Sequence, residues 1–144
     1  MKDCRNVVPI RDDDDVIAIA GDDSPLLPLA SVDAVCDRVE RVRFGLFDRV
    51  KLVFTFVIVE PAEYARTKLK MYVRVKDDWK RRPMPRSAKI YKCASVALGR
   101  PPKKGDRIVN SLWLHKLFRC RLAAAETQNG HTYSVVQMIE ERLA

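Results

Sequence analysis

The pattern that most constrains the fold lies in residues 68–76, where apolar and polar side chains alternate strictly. Successive side chains of a β-strand point to opposite faces, so this period of two predicts a strand with one buried and one solvated face. The apolar face carries Leu69, Met71, Val73 and Val75, and the polar face carries Lys68, Lys70, Tyr72, Arg74 and Lys76. The domain should therefore pack its core against one side of this strand.

Three further elements are predicted in the first hundred residues. Residues 50–59 are rich in β-branched and aromatic side chains and stop before Pro61, which predicts a central strand. Residues 31–43 place apolar side chains at positions i, i+3, i+4 and i+7, which predicts an amphipathic helix. A second helix should begin with Ser87 as its N-cap and end at Gly99.

The C-terminal part predicts a β-hairpin and a short closing helix. Residues 117–125 and 132–136 flank Asn129-Gly130, a pair typical of two-residue type I′ turns. Such a loop places one set of side chains on the apolar face: Phe118, Cys120, Leu122, Ala124, Tyr133 and Val135. The other face then carries Arg119, Arg121, Ser134 and Val136. Residues 137–143 follow helical spacing.

These elements predict a mainly β fold with helices, namely a small antiparallel OB-like barrel with one inserted helix and a short C-terminal helix. A small α+β sandwich is the alternative. Residues 1–30 contain four consecutive aspartates at positions 12–15 and predict an acidic, disordered leader, which leaves residues 31–144 as a single domain. No apolar stretch is long enough to span a membrane, so a cytoplasmic protein is expected.

The charge is distributed unevenly along the chain. The total is +8, but residues 1–40 carry a net −6 and residues 41–110 a net +13. A body this basic indicates a polyanionic partner, and nucleic acid is a commoner one than an anionic membrane or an acidic protein.

No catalytic, metal or cofactor site is expected. The four cysteines and two histidines are scattered without the spacing of a metal motif, and Cys36, Cys93 and Cys120 fall on apolar faces as buried structural thiols. Trp113 lies in an apolar turn and is expected in the core.

A single-stranded nucleic acid needs cations along its phosphates and aromatic rings on which bases stack. The polar face of residues 68–76 offers both, with Tyr72 between Lys70 and Arg74. The predicted binding residues are Lys68, Lys70, Tyr72, Arg74 and Lys76 on this strand, Trp79, Arg81 and Arg82 in the next loop, Lys103 and Lys104 in a second loop, and Arg119 and Arg121 on the hairpin.

Two short motifs carry a family resemblance. The first reads Tyr64-Ala65-Arg66-Thr67-Lys68-Leu69, and the second reads Leu114-His115-Lys116-Leu117-Phe118. With the strands around them, they resemble the Tyr-x-Gly-basic-basic-Leu and Leu-x-Gly-Lys-x-Phe turns of small OB-type single-stranded-DNA-binding proteins of bacteriophages and integrative mobile elements. Arg66 and His115 stand at the positions of that family's glycines.

The resemblance implies an accessory role in replication or recombination of a mobile element, with DNA favoured over RNA and with Lys70, Tyr72 and Arg74 in the groove. The competing interpretation is a protein-interaction or structural component whose basic face binds an acidic protein partner. A small nuclease ranks last, because the basic body holds few carboxylates. Self-association and a protein partner for the acidic leader stay open.

Overall fold

The computed structural model describes residues 25–44, 49–76, 84–127 and 129–144. These residues form five β-strands and one α-helix. In chain order the elements are β1 (Ser31–Phe44), β2 (Arg49–Glu60), β3 (Lys68–Val75), α1 (Lys89–Leu98), β4 (Leu117–Glu126) and β5 (Thr132–Arg142). The strands make one antiparallel sheet in the order β3-β2-β1-β4-β5, so the predicted mainly β class is confirmed.

The core fills the inward side of the sheet, where the strands meet α1 and the turn that holds Trp113. The Trp113 side chain is buried, its Nε1–H donates to the Cys93 carbonyl at 3.1 Å, and its ring meets Phe54 edge-on at 5.0 Å between centroids. Cys36 and Cys120 are also fully buried, together with Cys93. The predicted core positions of this tryptophan and of the three thiols are therefore confirmed.

The predicted helix over residues 31–43 is wrong, because these residues form β1. Val32 and Cys36 point into the core on the usual alternation, but a β-bulge between Cys36 and Arg38 adds one residue to the strand. The next inward side chain is therefore Val39. A period of two interrupted by one extra residue produces apolar spacings that imitate a helix.

The predicted helix over residues 137–143 is wrong for the same reason. The register of β4 and β5 shifts twice, between Arg119 and Cys120 and between Arg121 and Leu122. Each shift leaves one additional residue on β5, and the buried Val136 and Ile139 consequently lie three positions apart. Bulges have again replaced an even alternation with a spacing typical of helices.

The hairpin exists, but its predicted turn and register are wrong. Thr127 donates its N–H to the His131 carbonyl at 2.8 Å and accepts the Gly130 N–H at 3.0 Å, which encloses a three-residue loop. Gly130 has φ +83°, while Asn129 is not among the residues with positive φ, as a type I′ turn would require. Val136 consequently faces Leu122.

This register reverses the predicted faces of β5. Ser134 lies opposite Ala124 and is buried, together with Val136, on the core side of the hairpin. Tyr133 and Val135 lie opposite alanines on the other face instead. The longer loop moves the pairing by one residue, which exchanges the two faces of a strand.

Strands β2 and β3 and helix α1 match their predictions closely. The helix ends where Gly99 adopts φ +75° and donates its N–H to the Ser95 carbonyl at 2.9 Å. Its N-cap is Ala88 without a side-chain hydrogen bond, so Ser87 does not cap the helix as predicted.

The segment before β1 is attached to the hairpin. Leu27 is buried in the core, and its N–H donates to the Ser134 hydroxyl at 2.8 Å. The Pro25 carbonyl accepts the Ser134 N–H at 2.9 Å. Residues 25–30, predicted as part of the leader, are thus fixed to the folded body, whereas residues 1–24 of that prediction lie outside the described residues.

The two edge strands, β3 and β5, approach each other, but in the described part of the chain no ladder joins them, so the sheet is not closed into a barrel.

Lys89 at the start of α1 donates from Nζ to the Tyr72 carbonyl of β3 at 3.4 Å. Desolvation of this lysine lowers its pKa. Within the described ranges no helix is long and apolar enough to cross a bilayer.

Candidate nucleic-acid interface

Strand β3 presents the predicted polar face. Its apolar side chains belong to the core, while Lys68, Lys70, Tyr72 and Arg74 lie on the opposite, outward side. Lys68 and Arg74 are exposed, and Lys70 and Tyr72 are half-buried. The prediction that these four side chains share one face of the sheet is confirmed, and Lys76 follows exposed just beyond the strand.

Strand β2 extends this face with a floor of low polarity. Val53 lies opposite Tyr72, and Thr55 lies opposite Lys70. Val53 is 5% exposed and Thr55 is 8% exposed, yet neither belongs to the core cluster. Their burial is therefore provided by neighbours on the outward face. Lys51 continues the row of cations opposite Arg74.

Strand β1 completes the face on its other side. Glu40 lies opposite Val53, and Arg38 lies opposite Thr55. Arg38 Nε and the Glu40 carboxylate are 3.6 Å apart, and both side chains are exposed to solvent. We call the surface formed by these three strands the cationic face, and its members are Arg38, Glu40, Lys51, Val53, Thr55, Lys68, Lys70, Tyr72 and Arg74.

Sequence reasoning missed the β1 and β2 members of this face. Arg38 and Glu40 were hidden because β1 was predicted as a helix. The signal for Lys51 was present in the sequence, since it shares its alternation phase with Val53 and Thr55 in a strand that was predicted correctly. A strand whose two faces are both mostly apolar gives no contrast by which to choose the outward one.

Arg119 and Arg121 carry their own carboxylate partners. Arg119 contacts Asp33 of β1 at 3.2 Å and Glu141 of β5 at 3.7 Å. The hydrogen bond to Asp33 raises the pKa of Arg119. Arg121 contacts Glu140 at 3.0 Å and also donates to the Gln137 side chain. We call this surface the ion-paired face: Asp33, Arg119, Arg121, Gln137, Glu140 and Glu141.

The second basic loop is organised around Asp106. Arg100 donates two hydrogen bonds to this carboxylate, at 2.8 and 3.1 Å, and the Lys103 N–H donates a third at 2.8 Å. These hydrogen bonds, with that of Arg100 the strongest, lower the pKa of Asp106 to about 2. Lys103 and Lys104 remain exposed at the tip of the loop. The predicted residues Trp79, Arg81 and Arg82 lie outside the described residues.

Two residues with positive φ hold turns at the ends of the strands. Arg66 has φ +73° and donates its N–H to the Ile58 carbonyl at 2.9 Å. His115 has φ +65° and donates its N–H to the Cys36 carbonyl at 2.7 Å. These are the two positions at which the resembled family carries glycine. The backbone geometry that favours glycine is therefore present although the glycines are not.

The described residues contain no cluster of three or more histidine, cysteine or acidic side chains that could hold a metal ion. Burial raises the pKa of Cys36 and of Cys93 to about 12, and it raises the pKa of Cys120 as well. These thiols stay protonated at neutral pH and are poor nucleophiles.

A comparison with models of protein families and a comparison with curated proteins found no match to this chain.

Proposed function

We propose that this chain is a sequence-tolerant single-stranded nucleic-acid-binding protein, with DNA favoured over RNA, and that the cationic face is its binding surface. The observation that carries the proposal is the position of Tyr72. It lies beside the floor of low polarity, between Lys70 and Arg74 on its own strand, and Lys51 of the neighbouring strand β2 lies opposite Arg74.

The chemistry of this face suits a single strand. Cations that approach phosphates release condensed counterions, which provides affinity without reading the sequence. An aromatic ring among such cations lets an unpaired base stack, which contributes about 1 to 3 kcal/mol per base. A duplex keeps its bases stacked inside, so it could bind this face only through contacts between its phosphates and the cations.

The arrangement of the strands supports an OB-type fold. The helix lies between the third and fourth strands, and the edge strands β3 and β5 approach each other. OB-folds bind oligonucleotides across the face of their second and third strands, which here carry most of the cationic face. The positive φ at Arg66 and His115 supports the resemblance to single-stranded-DNA-binding proteins of mobile elements, and with it an accessory role in replication or recombination.

The test is binding to a labelled single strand of DNA, to the same sequence in RNA and to duplex DNA, each at two salt concentrations. We expect the DNA single strand to bind best. Tyr72→Ala should lower its affinity about tenfold at both salt concentrations, because stacking depends little on counterions. Tyr72→Phe keeps the ring and should bind like the parent protein.

Circular dichroism first establishes that both variants are folded. If the parent protein fails to bind any nucleic acid at low salt, the proposal is wrong, and an acidic protein becomes the better partner for this face. If Tyr72→Ala and Tyr72→Phe bind equally well, phosphate contacts alone hold the strand and Tyr72 is not a stacking platform.

A further inference from the structure

The cationic face also contains a carboxylate, on β1 and in the same row as Tyr72. Glu40 lies directly opposite Val53, and Val53 lies directly opposite Tyr72, so the three residues form one row across β1, β2 and β3. Neighbouring strands are spaced by roughly 4.8 Å, which places the backbones of Glu40 and Tyr72 about 10 Å apart. A phosphate in this row would be repelled by the carboxylate.

The Glu40 carboxylate keeps capacity to accept hydrogen bonds. Its side chain is 47% exposed, and within the described residues its ion-pair partner is Arg38, with Nε 3.6 Å away. That separation is beyond a hydrogen bond and leaves the carboxylate oxygens open to another donor. A base that stacks on Tyr72 and extends over Val53 brings its polar edge toward these oxygens.

We infer that Glu40 is a specificity-determining residue that favours cytosine and adenine over thymine and uracil; the inference rests on the proposed function. Cytosine offers an N4 amino donor and adenine an N6 amino donor, whereas thymine and uracil present a carbonyl oxygen at the equivalent place. A carboxylate accepts from the amino group and repels the carbonyl. The unpaired bases of a single strand expose these edges.

The sharpest comparison uses (dC)20 and (dU)20, because uracil differs from cytosine at this edge and lacks the methyl group of thymine. Both oligomers carry the same phosphates, so the ratio of their affinities cancels the electrostatic contribution. We expect the parent protein to bind (dC)20 about fivefold more tightly, the lower end of what one well-placed base contact provides. Fluorescence anisotropy of labelled oligomers measures the ratio.

Glu40→Gln tests the residue itself. The amide both donates and accepts hydrogen bonds, so the affinity ratio should fall close to one, mainly because binding to (dU)20 improves. Glu63→Gln is the matched control: it removes the same charge from an exposed residue of the 3-10 turn between β2 and β3, and it should keep the parent's ratio.

The outcomes separate the two claims. Equal affinity of the parent protein for both oligomers, or an unchanged ratio in folded Glu40→Gln, overturns the role of Glu40 and leaves single-strand binding in place. Failure to bind either oligomer overturns the proposed function, and the role of Glu40 with it.

Discussion

The outward surfaces at the two ends of the sheet use the same kinds of side chain and reach opposite charge balances. On the cationic face, Lys68, Lys70 and Arg74 form no ion pair with a described carboxylate. On the ion-paired face, Arg119 and Arg121 each contact at least one carboxylate supplied by a neighbouring strand. Strand register, more than the number of cations, decides which of them are available to a phosphate.

The largest effect on single-strand affinity should come from removing positive charge from the cationic face. Lys70→Gln combined with Arg74→Gln should reduce the slope of log affinity against log salt by about 0.7 per lost contact, or about 1.4 in all. If the variant and the parent protein bind equally at 1 M salt, the variant should bind about 25-fold more weakly at 0.1 M. The measurement is a salt titration with a labelled single strand.

The matched variant carries Arg119→Gln and Arg121→Gln, which removes the same charge from the ion-paired face. Its slope should stay within about 0.3 of the parent value, because these guanidiniums already have carboxylate partners. Equal loss of slope in the two double variants would show that the strand crosses both faces. The distinction between them would then have no functional meaning.

The same two regions show what could be predicted from the sequence. The alternation of β3 is uninterrupted, and its faces differ sharply in polarity, so both the strand and its outward residues were predicted correctly. Strands β1 and β5 contain bulges, and one extra residue turns a period of two into a helix-like spacing.

The partners of the hairpin arginines were beyond sequence reasoning. Asp33 is 86 residues from Arg119, and only the pairing of β1 with β4 brings them together. The acids of β5 come within reach only through the observed, bulged register. Long-range pairing therefore determined the carboxylate partners of Arg119 and Arg121, which the sequence alone does not show.

The hairpin should affect stability without affecting binding. Gly130 has φ +83°, and a Cβ added there meets no atom within 4 Å, so the strain expected in Gly130→Val comes from its backbone conformation. We expect a loss of about 1 to 2 kcal/mol in the free energy of unfolding, measured with urea. Single-strand affinity should be unchanged in the folded variant, since the loop at Gly130 carries no residue of the cationic face.

Asn129→Val is the control for this turn. Asn129 does not have positive φ, so a β-branched side chain should cost much less there than at Gly130. A type I′ turn would need positive φ at both positions. Equal destabilisation by the two substitutions would therefore contradict the observed loop and favour the two-residue turn.

The smallest expected effect concerns the acidic N-terminal segment. Residues 1–24 carry seven acidic and three basic side chains, and they precede a body in which Lys68, Lys70 and Arg74 form no ion pair with a described carboxylate. We expect the segment to compete weakly with nucleic acid for that face, as the acids of β5 do for Arg119 and Arg121. The truncation must end at residue 24, because the Pro25 carbonyl accepts the Ser134 N–H and Leu27 belongs to the core.

Deleting residues 1–24 should tighten single-strand binding about threefold at low salt, the scale of an exposed ion pair, and the gain should vanish at high salt because exposed charges are screened. Replacing the four aspartates at positions 12–15 with asparagine keeps the chain length and should give most of the same gain. The double variant Lys70→Gln and Arg74→Gln should gain less from either change, since it offers the acids less to bind. If the truncated protein binds no better than the parent at the lowest salt, the segment does not act on the cationic face.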